Sequence, residues 1–524
     1  MDAGFQLLYA VPKPGQTLEE CEALLLEQVA RLREGAFSPE DLDAVLTDFE
    51  VREKRGLESL ETRVSEMTDS FVERTPWERS VRSLDRLRHV TKEQVVAAAR
   101  RHLDRDFVVA YRRTGEPRLP TVTKPAFTPV EIESDRHTDF FRAVLETPAA
   151  PIEPVFAVAG RDYTVSEHPW GRLYHAHNPL NDLFDLQVVV ETGTDHDPRL
   201  ELALGLVDLG GAGDLDPIAF RRRLYALGSQ IGGASGERET TLTASGLDAH
   251  FGETVALLRE HFTAPAGIGP DDLHKLVERV RGARAVQKRS PAGLAAALQE
   301  LARRGPRSAY LRAPSDADLD AFTADDLVAA SRELFDYRRI VVYTGTLPVA
   351  EVAAAVGEAA GTPLLSTPAN AAVTYVRPAA NRVLFLHVPG AQAQVAVYAP
   401  DGTLDVRLAP AARVYNEYMS GSMGAVVFQE VREARSLAYS VWTNYTSGQR
   451  LGDANLMQGA MSNQQDKAAE AIAVLMGLIR ELPPSASRLE QVRGAIDESY
   501  RTNRLGFRRM AGAALTWDRW GVDG

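Results

Sequence analysis

The chain has 524 residues, 44% of them apolar and 25% charged, and a formal net charge of −13 at pH 7. That is ample material for several cores, and the acidic balance speaks against a general binder of nucleic acid or anionic membrane. Cys21 is the single cysteine, which excludes intrachain disulfides and zinc sites built from thiolates.

In chain order, residues 17–34 read as a helix with Leu24, Leu25, Val29 and Leu32 on one side. Ser38 caps a second helix, with Pro39 at its first position and Asp41 at its third. Trp77 to Leu87 reads as helical, Thr91 to Gln94 forms a capping box for a helix to about Leu103, and Phe107–Tyr111 reads as a strand. From about Thr114 to Pro154 prolines accumulate and periodicity fades, as in an extended linker around a short helix near Asp139–Leu145. Beyond it, Leu173–His175, Leu183–Val190, Glu239–Gly246 and Arg339–Thr344 read as strands, interleaved with helices at Arg199–Leu209, Pro217–Leu227, His250–Phe262, Pro270–Lys288 and Thr323–Phe335. A second linker leads to strands at Arg382–Val388 and Ala393–Tyr398 and a helix at about Pro410–Glu417. No apolar run reaches the ~18 residues of a membrane span. The N-terminus shows no signal peptide, so the sequence predicts a soluble protein without fixing its compartment.

The chain repeats itself. Residues 91–111 align without gaps to 323–343, with Thr, Val, two Ala, Arg, Asp, Val and Tyr coinciding. A weaker echo lays Val29, Leu32, Arg33, Glu34, Leu42, Val45 and Phe49 on Met476, Ile479, Arg480, Glu481, Leu489, Val492 and Ile496. Together these predict one α+β module used repeatedly: the back part of one copy at 1–115, a linker at 116–150, a nearly whole copy at 151–350, a linker at 351–374, and a third copy at 375–524 that stops before its closing helix and strand. The chain reads as cut at both ends.

The stretch Tyr418–Tyr445 moves from a Gly/Ser-rich turn to a helix to a strand. Met423, Val426, Val427, Val431 and Ala434 fall on one helical stripe, and Leu437, Tyr439, Val441, Thr443 and Tyr445 on one strand face. Arg432 lies off the stripe and Tyr439 at the strand start, so the turn between them brings a guanidinium and a phenol together. Taken by itself, Arg432 also reads as a solvated arginine complementing the helix dipole, and Tyr439 as a strand core residue with its hydroxyl at the rim.

FQEVREARSLAYSV (428–441) resembles the signature of the insulinase/pitrilysin family of zinc metallopeptidases, F-x-x-[LI]-R-E-x-x-[GS]-L-A-Y. The phrases at 124–134, 178–198 and 90–117 are similar to the long, four-module members. The resemblance implies an α+β fold of metallopeptidase-like modules, each a mixed, mostly antiparallel sheet flanked by helices, paired by a linker into a half-shell around a peptide chamber. It implies that Arg432 and Tyr439 bind substrate and stabilise the oxyanion formed over zinc in the opposite half. The family's zinc helix carries H-x-x-E-H, two His on one face and a Glu as general base; that string is absent here. A rough match places Glu201, Leu204 and Gly205 at His, Glu and His, so no metal and no cofactor is expected on this chain. The expectation is a non-catalytic, substrate-binding half, inactive alone, with zinc in a complementary module or subunit. Its partners would be that half and a peptide, not nucleic acid. The alternative is a degenerate peptidase-like scaffold without a proteolytic role.

Other candidates read blandly. His175 and His177 share a strand face without a third ligand. The Gly-rich runs at 210–213 and 420–424 fit no phosphate-binding fingerprint, and the basic run 281–289 reads as a solvated helix face.

Overall fold

The computed structural model describes residues 5–13, 15–103, 107–115, 138–148, 150–358 and 364–522. Most of the 116–150 linker and the phrase at 124–134 lie outside the described residues. These residues form two compact units, Met1–Leu42 with Glu66–Pro154, and Asp43–Ser65 with Val155–Gly524.

In the first unit Thr17 and Glu20 close a capping box on the helix Leu18–Glu34, and Thr91 and Gln94 close another on Lys92–His102. Gly35 ends the former at φ 75°, and a Cβ there would lie 3.1 Å from Val96. A left-handed stop and close helix packing thus meet at one residue. Residues 107–111 are extended but form no strand, correcting the sequence expectation. Among the described residues no neighbouring chain offers them a ladder, and an unpaired segment cannot hold β structure.

The second unit holds a six-stranded sheet in the order β1 (Thr164–His168), β2 (Gly171–His177), β6 (Arg339–Gly345), β3 (Leu183–Val190), β5 (Thr240–Leu247), β4 (Gln230–Ser235). The pair β2–β6 is parallel and the others antiparallel. The central strand β6, RIVVYTG, is apolar on both faces because both are covered. One face buries Leu173, Phe184, Leu186, Val341 and Tyr343 under helices Leu200–Val207, Phe251–Thr263, Ala324–Glu333 and Val349–Glu358. On the other, Tyr174, Ala176 and Val342 pack against Met510, Ala511, Ala514 and Leu515 of the helix Phe507–Trp520. Close approach to β6 demands glycine at position 171, where φ is +140° and a Cβ would fall 1.8 Å from the Arg339 carbonyl oxygen.

A second, antiparallel sheet follows, β7 (Gln392–Thr403), β9 (Ala454–Gln464), β8 (Ala438–Thr446), in that order. Its core gathers Met419, Val426, Val427, Val431, Leu437, Met461, Ala471 and Leu475. The expected strand at 382–388 is irregular instead, with Val383 and Phe385 exposed, since no described strand lies beside it.

The two sheets of this unit are joined by charge. Asp453, 1% exposed, accepts a fork from Arg238 (2.8 and 3.0 Å) and two backbone N–H bonds, from Val373 at 2.8 Å and Arg450 at 3.0 Å. Around it Arg519 donates to Glu239 at 2.6 Å and Arg304 to Glu237 at 2.7 Å. Asp453→Ala would strand a buried guanidinium, and denaturant unfolding should show a loss of about 3–5 kcal/mol. A loss below about 1 kcal/mol would show that the fork does not hold the sheets.

Two phenols carry a pH signature. Burial pushes Tyr174 up to about 12, helped by its hydrogen bond to Asp518 at 2.5 Å and opposed by Arg172. Burial, then the hydrogen bond to Asp401 at 2.6 Å, pushes Tyr445 up to about 12. An unfolded tyrosine titrates near ~10, so this stabilisation is complete below that pH and is lost as pH rises through the folded value. Stability measured by urea should therefore fall across that alkaline window, and Tyr174→Phe should flatten the fall.

Candidate functional site

Arg432 and Tyr439 meet as their spacing predicts, through three local departures from regular structure. Residues Phe428–Glu433 form a π-helix, whose wider turn is shown by Ala434 N–H donating to the Gln429 carbonyl at 2.9 Å. Its winding corrects the expected stripe: Val426, Val427 and Val431 are buried, whereas Met423 is 71% exposed and Ala434 is exposed. Helical winding starts only at Val426, and a π turn does not return to the core at an α-helical spacing.

The chain then reverses at Ser436, a non-glycine residue at φ 49°. Its N–H donates to the Arg432 carbonyl at 3.0 Å, and the Leu437 N–H to that of Val431 at 2.9 Å. This left-handed position is where the resembling signature has Gly or Ser; Gly adopts it without steric cost, whereas Ser436 takes it with strain.

The third departure is a β-bulge. Ala438 pairs with Asn463 and Ser440 with Ser462, leaving Tyr439 as the extra residue. That corrects the single strand face expected for Leu437 to Tyr445. Val441 and Thr443 keep the inward alternation, while Tyr439 is thrown outward and is 81% exposed, not a core residue.

The result is a guanidinium held between two rings. The central carbon of Arg432 lies 4.5 Å from the centre of Phe428 and 4.6 Å from that of Tyr439. Arg432 is half-buried and pairs with the exposed Glu433 at 3.4 Å. The Tyr439 hydroxyl has no hydrogen-bond partner among the described residues. Both side chains thus present N–H and O–H donors to one patch, backed by a rigid sheet. Sequence reading missed Phe428 as the second wall, although one-turn spacing from Arg432 is a usable signal for such a stack.

The other expectations resolve simply. Leu204 is buried in the core and a Cβ on Gly205 would touch Leu276 at 3.5 Å, so the helix Leu200–Val207 uses both positions for packing; Glu201 is exposed. Leu and Gly offer no donor, and zinc does not fit this set. Among the described residues no group of three or more His, Cys, Asp or Glu is placed to hold a metal ion. His175 is engaged otherwise, bonded to the Leu347 carbonyl at 2.8 Å and stacked on Tyr343. Among the described residues no helix is long and apolar enough to cross a membrane.

Residues 321–493 match the family model described as the peptidase M16 inactive domain. No curated protein matches the chain. Among solved structures, the peptidase M16 inactive domain from Pseudomonas fluorescens is 16% identical with a TM-score of 0.57, covering 69% of this chain and 88% of that one. The periplasmic protease PqqL from Escherichia coli is 15% identical with a TM-score of 0.55, over 96% of this chain and 59% of its own. A mutant of the ferredoxin protease FusC, in complex with Arabidopsis ferredoxin, is 13% identical with a TM-score of 0.51, over 96% of this chain and 61% of its own. The chain thus spans about three fifths of these two proteases. At such identities the structures show the shared fold, and the family match assigns residues 321–493 to the peptidase M16 inactive domain.

Because both site residues lie outside the core, their removal should spare the fold. Tyr439→Phe should shift unfolding free energy by less than about 0.5 kcal/mol, and Tyr439→Ala by no more than the ~1 kcal/mol of an exposed cation–π contact. Thermal or urea unfolding of the two variants checks this.

Proposed function

We propose that the chain is the substrate-binding, non-catalytic half of an insulinase-type metalloendopeptidase. Arg432 and Tyr439 hydrogen-bond a carbonyl oxygen of a bound peptide, and the catalytic zinc belongs to a complementary module or subunit. The observation that carries the proposal is the juxtaposition of a fixed guanidinium and an unengaged phenol, held by the π-turn and the bulge, inside a segment matching the inactive domain. Fixed donors aimed at a developing negative charge stabilise it more than mobile water can, because no reorganisation is needed. The stack on Phe428 limits the rotamers open to Arg432, so little side-chain entropy is lost on binding.

The test is reconstitution. Added to a zinc-bearing half of an insulinase-type peptidase, the chain should raise peptide hydrolysis. Arg432→Ala or Tyr439→Phe should remove about 10²-fold of that gain, the scale for one oxyanion donor. Equal activity with and without the chain would favour a scaffold without proteolytic role. Hydrolysis by the purified chain alone, abolished by a chelator and restored by zinc, would overturn the non-catalytic assignment.

A further inference from the structure

The β4–β5 and β8–β9 turns, the end of the helix Pro291–Arg304 and the end of the helix Phe507–Trp520 close on a cavity of about 400 Å³. That is a size which encloses small ligands. Five arginines and four carboxylates line it, the Asp453–Arg238 fork among them.

The donors and acceptors of this lining do not match. Every lining carboxylate already holds a guanidinium: Asp453 that of Arg238, Glu237 that of Arg304 at 2.7 Å, Glu239 that of Arg519 at 2.6 Å, and Glu300 that of Arg303 at 2.9 Å. A guanidinium carries five N–H donors, and some are left over. The Nε atoms of Arg303, Arg304 and Arg519 are buried and make no hydrogen bond among the described residues, and Arg304 as a whole is 7% exposed. Buried donors are ordinarily paired, so three orphans around one cavity mark a lining that lacks an acceptor. Tyr375 adds a fourth donor, a half-buried hydroxyl without a hydrogen-bond partner among the described residues. Burial holds this phenol above the ordinary tyrosine value, with Arg303 and Arg304 pulling the other way, so it keeps its proton at neutral pH.

The missing acceptor can be specified. The lining carries one more arginine than carboxylates, so a ligand with a single negative charge balances it, and a polyanion would not. At ~30 Å³ per water, the cavity also has room for a body of about a dozen heavy atoms behind that charge. The end of a peptide, with its terminal carboxylate, has this charge and this size. β8 connects the cavity to the Arg432–Tyr439 patch: Tyr439 stands near one end of the strand, and Thr446 at the other end lines the cavity. At ~3.4 Å per residue the two are roughly 24 Å apart. We propose that the cavity is a carboxylate subsite that receives the C-terminal end of a peptide held at that patch. Arg303, partly exposed and bonded through a side-chain N–H to Glu300 alone, meets the carboxylate together with the Tyr375 hydroxyl. The subsite rests on the peptide-binding role of Arg432 and Tyr439.

Fluorescence anisotropy of the full chain with an uncharged peptide of about ten residues, labelled at its N-terminus, tests this. The peptide is made twice, with a free C-terminal carboxylate and with an amide. The free acid should bind about tenfold more tightly, the scale of a hydrogen bond to a charged group. Arg303→Gln and Tyr375→Phe should each erase most of that difference and leave the affinity of the amide unchanged, whereas Arg432→Ala should weaken both forms alike. Where Arg303→Gln unsettles the fold, Tyr375→Phe, which removes a single hydroxyl, decides. Equal binding of acid and amide, or a difference that persists in both variants, overturns the subsite and leaves the peptide-binding role standing. Failure of either form to bind takes that role down with it. If inorganic phosphate raises the melting temperature where chloride at equal ionic strength does not, and the free-acid peptide does not compete with it, the cavity holds free oxyanions and the proposal falls.

Discussion

The first sheet cannot be completed until its last strand arrives. β2 lies next to β1 and β6 only, so its link to β3, β5 and β4 passes entirely through a strand that follows it by well over a hundred residues. Such a contact closes a very long loop before it returns any hydrogen bonds, so the pairing comes late and depends on helices already holding the strands in place. The apolar helices Leu200–Val207 and Phe251–Thr263 supply that platform, and the helix Phe507–Trp520 seals the other face. The same requirement explains why segments of strand-like composition at 107–111 and 382–388 are not strands: composition supplies side chains for a slot, whereas a strand exists only when the slot's other members are present.

The candidate site follows a different logic. A π-turn, a left-handed serine and a bulge lie within a dozen residues, each an exception to the regular structure around it. Any one of them alone would misdirect a side chain; in series they fold the backbone so that residues seven apart in sequence stack face to face. The left-handed serine alone costs about 1–2 kcal/mol, and the buried valines at 426, 427 and 431 anchor the whole segment to the core.

Much of this was legible in the sequence, for identifiable reasons. The helix starts at Ser38 and Thr91 are local chemistry, and the Ser38–Asp41 and Thr91–Gln94 pairs stand where the sequence predicts them. The motif at 428–441 singled out Arg432 and Tyr439, which the structure brings together. What failed were inferences that extend a regular period across an irregularity, as at Met423, Ala434 and Tyr439. β9 was missed because ANLMQGAMSNQ has none of the β-branched residues that usually announce a strand, although it is central to its sheet. The Asp453–Arg238 fork left no local trace, since a buried pair 215 positions apart is created only by the meeting of the two sheets.

The wider turn around Arg432 also bears on how such a site is lost. An α-helix advances each side chain by ~100°, so removing one residue from Phe428–Glu433 would rewind the turn and swing the guanidinium away from Tyr439. The valine anchors could re-seat with modest adjustment. The patch would dissolve while the sheet behind it persisted. A π-turn therefore makes this contact separable from folding: a single deletion would remove the stack and leave the module standing.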